Sequence, residues 1–301
     1  MGAGIIQEIK ISACLKMNVE VIMVIDRDRL VVMNQHYKNY SLDYFLDCQE
    51  KFGIKNIELW MSMQHFSLDS VRYGDCRTLL KKLSARGQQV VCVTAPSCDY
   101  QYQYACQDDL LRKKCIGYFK NGLNVAEELE AKFMTCNSGW GYGNSKIEDS
   151  MNAFRSTLDE LVPIAERKGI TIVIETLTAD ESNLVTNVYS LKEIIDEYSS
   201  PSLKAMADTV AMADAGESME EWFEILGADI RYMHFVDGKK SWEHLAWGDG
   251  IYDLGRMFRT IEACGYEGYL SQELIAEDYL SDPEKADEVN FCTLKKYFTF
   301  I

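Results

Sequence analysis

The sequence predicts a single parallel (β/α)8 barrel. From about residue 30 onward, eight short apolar, β-branched runs alternate with amphipathic helical stretches. In addition, four metal-compatible side chains, Glu175, Asp208, His234 and Glu273, each close one of the last four runs. Regular alternation of strand and helix implies crossover connections and therefore parallel strands. A closed parallel barrel gathers the carboxyl ends of its strands at one mouth. The four side chains are separated by about 25 to 40 residues, room for one helix and its two loops. The chain has 301 residues, a 47% apolar fraction and four prolines, and no Gly/Ser-rich linker divides it, so one core is expected.

Residues 1–29 precede the first predicted strand and form an N-terminal extension: an added strand, a partner-contact arm, or residues upstream of the true start. The barrel then occupies 30–301. Its predicted strands are Leu30 to Met33, Ile54 to Trp60, Gln89 to Thr94, Lys132 to Cys136, Thr171 to Glu175, Leu203 to Asp208, Ile230 to Val236 and Gly268 to Glu273. Between them lie the helical patterns SLDYFLDCQEKFG, DCRTLLKKLSARG, DDLLRKKCIGYFKNGLNVAEEL, EDSMNAFRSTLDELVPIAERKG, LKEIIDEYSS and DLGRMFRTIEACGYEG. Several end in Gly after Lys or Arg, as a helix C-terminus does. A last helix is expected from about Asp282 to Phe298.

A formal charge of −16 excludes a polyanion partner, because phosphate binding draws on clustered Lys and Arg. Neither nucleic acid nor an anionic membrane is expected. The N-terminal run VEVIMVI is too short to span a bilayer and lacks a cleavage site. Ten cysteines are scattered without a CxxC pair or a leader, which points to a reducing cytoplasm.

Three carboxylates and one imidazole form a hard, oxygen-rich donor set with one borderline nitrogen. That set suits manganese first, and magnesium or cobalt after it, better than a thiolate-type zinc site. A carboxylate at a strand end also serves commonly as a helix N-cap, and a half-buried histidine such as His234 can be a satisfied core residue. Recurrence of the pattern on four consecutive strands favours a site. Glu181 follows Glu175 on the same loop and is a candidate for binding substrate hydroxyls. His244, before the Gly-rich GDG turn at 248–250, is a second. Sugars stack on aromatic faces, and the predicted mouth loops APSCDYQYQYACQ and NSGWGYGN, with Trp60, Trp140, Trp242 and Trp247, supply such rings.

The segments IETLTADESNLV, MADTVAM, IRYMHFVDG, GDG and GYEGYLSQEL resemble, in order and spacing across residues 170–275, the xylose isomerase-like TIM-barrel superfamily, also called the AP endonuclease 2 superfamily. Within it the chain is most similar to sugar epimerases of the fructoselysine and tagatose/psicose 3-epimerase kind. The first half matches more loosely, through NIELWMSMQHF. The resemblance implies that Glu175, Asp208, His234 and Glu273 bind the metal and that Glu175 and Glu273 are also the catalytic acid/base pair. Glu181 matches a substrate-contacting glutamate, and His65 a histidine in the loop after the second strand. Two positions depart from many ketose epimerases: Ala211 replaces a histidine, and the loop DGKKSWEH lacks an arginine.

The implied reaction is removal of a proton beside a keto-sugar carbonyl, giving an enediolate. Return of a proton to the same carbon from the other face is ketose 3-epimerisation. The alternative is the chemistry of the catalytic subunit of C-glycoside deglycosidases, which eliminates an aglycone from a 3-oxo C-glycoside and works with a small second subunit. Aromatic loops and the absent arginine favour that alternative, and the ESN motif favours the epimerase. A non-catalytic sugar-binding barrel is a more remote alternative, and a DNA-repair endonuclease is disfavoured by charge and by only four histidines. The expected partners are a small-molecule keto-sugar or glycoside and further copies of the chain or a small subunit.

Overall fold

The computed structural model describes residues 25–62, 64–98, 101–239 and 243–299. Eight parallel strands close a barrel in sequence order: β2 (Leu30–Met33), β3 (Asn56–Trp60), β4 (Gln89–Thr94), β5 (Phe133–Asn137), β6 (Thr171–Glu175), β7 (Leu203–Asp208), β8 (Ile230–His234) and β9 (Tyr269–Gln272). Pairing of β2 with β9 completes the ring. The two remaining strands, β1 (Ile25–Asp26) and β10 (Phe298–Thr299), pair with each other in parallel outside it. The end of the predicted extension is thus a short strand, whereas residues 1–24 lie outside the described residues.

The helices are α1 (Leu42–Lys51), α2 (Cys76–Ser84), α3 (Asp109–Glu128), α4 (Ile147–Lys168), α5 (Val188–Tyr198), α6 (Thr209–Asp214), α7 (Met219–Ile225), α8 (Leu254–Ala263) and α9 (Pro283–Leu294). Ser41, Asp75, Asp108, Asn187, Asp253 and Asp282 cap α1, α2, α3, α5, α8 and α9 by accepting first-turn N–H groups, which fixes where these helices start. Gly169 ends α4 in the left-handed region at φ 67°, where a side chain would be strained. Several strand ends shift by one or two residues from the sequence expectation, β9 stopping at Gln272 rather than Glu273, and two helical regions differ. The interval between Asp208 and Ile230 holds two short helices, capped by Asp208 and Ser218. The last helix stops at Leu294, because the β-prone Phe298–Thr299 pair joins β1 instead.

Strands of a parallel barrel are covered on both sides, and the core divides accordingly. The larger part lies between sheet and helices, with Phe45, Phe119, Phe154, Trp222 and Phe258 fully buried. A smaller cluster fills the barrel interior: Val31, Val91, Cys92, Val173, Met206 and Tyr232, with Phe133 and Tyr269 against it. The rings of Phe133, Tyr232 and Tyr269 meet at 5.5 to 6.2 Å near the amino ends of β5 and β9. Side chains therefore fill the lower barrel, and polar groups collect above.

A buried polar cluster ties the last helix to the start of the barrel. Asp287 on α9 accepts from Tyr37 Oη at 2.8 Å, Gln49 Nε2 at 2.6 Å and His36 Nε2 at 3.0 Å, and all four residues are fully buried. Asn290, one turn on, donates to Gln272 at 2.9 Å and accepts from Trp247 N at 2.9 Å. Asp287→Ala leaves three buried donors without an acceptor, a loss of about 3 kcal/mol. Urea unfolding measures it as a lower midpoint; an unchanged midpoint would contradict the role.

Candidate metal centre

Glu175, Asp208 and His234 are the last residues of β6, β7 and β8, and Glu273 follows β9 by one position. Asp208 lies beside His234 in the β7–β8 register, but His234 lies beside Ser271 in the β8–β9 register. Barrel stagger thus requires the next ligand on that face two residues further on, at Glu273. One ligand atom from each of the four lies within 4.8 Å of all the others. His234 Nδ1 is 2.8 Å from Glu175 Oε1, 2.8 Å from Glu273 Oε2 and 3.6 Å from Asp208 Oδ2. Asp208 has two tasks at once: Oδ1 caps α6 by accepting from Val210 N and Ala211 N at 2.7 Å each, while Oδ2 faces the cluster.

Among the described residues, the ion-pair partners of these three carboxylates are imidazoles rather than Lys or Arg. Burial, with Glu273 and Asp208 nearby, pushes the Glu175 carboxyl up to about 8 against the opposing pull of His234. Burial disfavours the His234 imidazolium, yet Glu273, Glu58, Glu175 and Asp208 together hold its pKa well above the usual range. Burial would also raise Asp208, but His244 and His234 keep it far below the ordinary carboxylate range. Three converging carboxylates and one imidazole could hold a cation between them, and three oxygens with one nitrogen fit a hard divalent ion.

Directly beneath, Glu58 on β3 is fully buried, accepts from three hydroxyls and faces the His234 ring. Thr94 Oγ1 donates to Oε1 at 2.6 Å, Ser271 Oγ to Oε2 at 2.6 Å and Tyr232 Oη to Oε2 at 2.9 Å. His234 Nε2 lies 3.1 and 3.2 Å from the two oxygens. Burial would raise the Glu58 pKa, but His234, Ser271 and Thr94 bring it below its ordinary value. Glu58 is not among the candidates that the sequence singles out. Its signal was a single charge inside the apolar strand NIELW, on a strand that a parallel barrel buries on both faces.

The model of xylose isomerase-like TIM barrels matches residues 48–293. The chain belongs to this family. Fructoselysine 3-epimerase of Escherichia coli O157:H7 is 25% identical over 240 residues, 79% of this chain and 86% of that protein. The fold is shared with the crystal structure of the E. coli 3-keto-D-glucoside 4-epimerase YcjR, with a TM-score of 0.69 and 14% identity over 88% of this chain and 99% of the other. It is shared too with the IOLI protein solved with a zinc atom, with a TM-score of 0.73 and 18% identity over 90% and 99% of the two chains. Sugar epimerases are therefore among the relatives of this family member. Among the described residues no helix is long and apolar enough to cross a membrane.

Around the four central residues, this family member arranges the remaining predicted contacts unequally. His244 joins the centre: its Nε2 is 3.1 Å from Asp208 Oδ2 and 3.5 Å from Glu273 Oε2. Its loop is shaped by Asp237, missed in the sequence, whose carboxylate accepts from the backbone N–H groups of Gly238, Gly248, Gly250 and Tyr252. A Cβ on Gly250 would stand 2.2 Å from Asp237 Oδ1, which explains the second glycine of GDG. Glu181 Oε2 accepts from Thr178 N and Oγ1 at 3.1 and 2.8 Å, and burial raises its pKa.

His65 has both ring nitrogens engaged, Nδ1 accepting from Asn34 Nδ2 at 2.6 Å and Nε2 donating to Tyr40 O at 2.9 Å. Trp60 is buried at the end of β3, its backbone N–H bonded to Asn34. Trp247 packs inside against Phe235 and donates to the Phe235 carbonyl. Trp140 is exposed, stands edge-on to Tyr142 and donates to Cys98 O at 3.4 Å. Together with Tyr102, Gln103 and Leu111, these two rings line a cavity of about 270 Å³. Trp242 lies outside the described residues.

Proposed function

We propose that this protein is a divalent-metal-dependent sugar epimerase that removes a proton beside a keto-sugar carbonyl through an enediolate, with ketose 3-epimerisation as its reaction. One observation carries this reading: Glu175 and Glu273, on strands three apart in the barrel, converge on His234 Nδ1 at 2.8 Å each, with Asp208 on the strand between Glu175 and His234. Two carboxyls that flank one point can take a proton from one face of a carbon and return one to the other. Glu175, Asp208, His234 and Glu273 would hold the ion, for which manganese is the preferred metal and magnesium or cobalt the substitutes. Such an ion supplies positive charge that stabilises negative charge growing on the sugar oxygens. Glu175 and Glu273 would share the two roles, each acting as acid in one direction of the reaction and as base in the other.

Glu181 and His244 are the candidate hydroxyl contacts and Trp140 the candidate stacking face, with His65 and Trp60 as further candidate substrate contacts. The catalytic unit in this reading is one barrel over residues 30–301, with 1–29 appended. A reducing cytoplasm is the setting that goes with the scattered cysteines of the sequence. A second reading, elimination of the aglycone from a 3-oxo C-glycoside with a small second subunit, is favoured by the aromatic side chains Trp140 and Tyr142 of the loop after β5.

Incubation with manganese in deuterated water over ketoses, fructoselysine and 3-oxo aryl C-glycosides separates the two. Deuterium at C3 of a recovered epimer is the expected result, and free aglycone would establish the elimination instead. Neither exchange nor product with any keto-sugar would overturn both.

A further inference from the structure

Glu58 supports an inference that rests on the reading of Glu175, Asp208, His234 and Glu273 as metal ligands and concerns how one of them is prepared. A neutral imidazole carries one hydrogen, on either ring nitrogen, and only the bare nitrogen can bind a metal. In His234 the two nitrogens face unlike surroundings. Nδ1 sits where the carboxylate oxygens of Glu175 and Glu273 converge, and Nε2 faces the Glu58 carboxylate at 3.1 and 3.2 Å. Glu58 cannot turn away, because Thr94, Tyr232 and Ser271 each donate a hydroxyl hydrogen to it and Thr94 is itself held by Thr135 at 3.1 Å. Three hydroxyl donors leave Glu58 as an acceptor for one more hydrogen, and Nε2 is the group in place to give it.

We propose that Glu58 is a positioning residue for the metal centre: it fixes His234 as the Nε2–H tautomer and turns the bare Nδ1 toward the divalent ion. It touches neither substrate nor metal and acts through the imidazole. A carboxylate behind a ligating histidine raises the basicity of that ligand and sets its ring orientation, and its loss weakens metal binding about 10- to 100-fold.

Nitrogen NMR of the zinc-loaded wild-type protein reads the tautomer directly, with zinc as a diamagnetic probe. The expected result is hydrogen on His234 Nε2 and a zinc-shifted Nδ1; hydrogen on Nδ1 would overturn the proposal. In parallel, equilibrium dialysis of Glu58→Gln against zinc and manganese should show affinity weakened about 10- to 100-fold at an unchanged stoichiometry. A folded Glu58→Gln protein with wild-type affinity overturns the proposal while leaving the metal site intact. No metal binding by the wild type overturns the metal-site reading and this proposal with it. Should Glu58→Gln fail to fold, the wild-type tautomer decides alone.

Discussion

Glu175→Gln and Glu273→Gln are each expected to lower kcat by about 10³-fold or more, since each removes both a proton-transfer group and a charge on the proposed ion. The two variants are expected to differ in isotope behaviour. The variant that retains the base for a given epimer should still wash deuterium into that substrate without forming product, and the other should do neither. Reversing the substrate should exchange the two behaviours, because each carboxyl is acid in one direction and base in the other. Near-normal turnover in either variant would remove that residue from the acid/base pair.

The second large effect is loss of turnover with a chelator, returning when manganese is added. Asp208→Asn tests the same dependence from within. An asparagine still accepts the α6 N–H groups, so the helix cap and the fold should persist. The charge facing His234 is gone, and metal affinity should fall by at least the 10- to 100-fold that follows loss of an outer-shell partner. Metal analysis after dialysis, with a circular dichroism check of folding, measures both parts. Full metal content in the folded variant would place the ion elsewhere.

The barrel was legible in the chain because its physics is periodic: β-branched runs such as TIVIE, capped helix starts such as SLDYF, and glycines after basic turns repeat the same unit. The four central residues were legible for the same reason, since strand ends recur at one mouth. Less accessible were residues whose role depends on what lies across the barrel. Glu58 meets His234 from a strand far away in sequence, and Asp287 meets His36, Tyr37 and Gln49 from the opposite end of the chain. Nothing local distinguishes such a carboxylate from a solvated one except its apolar flanks. Asp208 shows the converse: helix cap and metal ligand are rival roles for a strand-end carboxylate in the sequence, yet its two oxygens let one side chain offer both.

The rings of Phe133, Tyr232 and Tyr269 below Glu58 make the barrel a vessel open at one end. On the proposed reading, a hydrogen taken from a sugar would exchange with bulk water by way of the mouth. Isotope wash-in would therefore time the opening of the mouth rather than leakage through the protein. Smaller side chains at Phe133 or Tyr269 would give the hydrogen a second exit and uncouple exchange from substrate release.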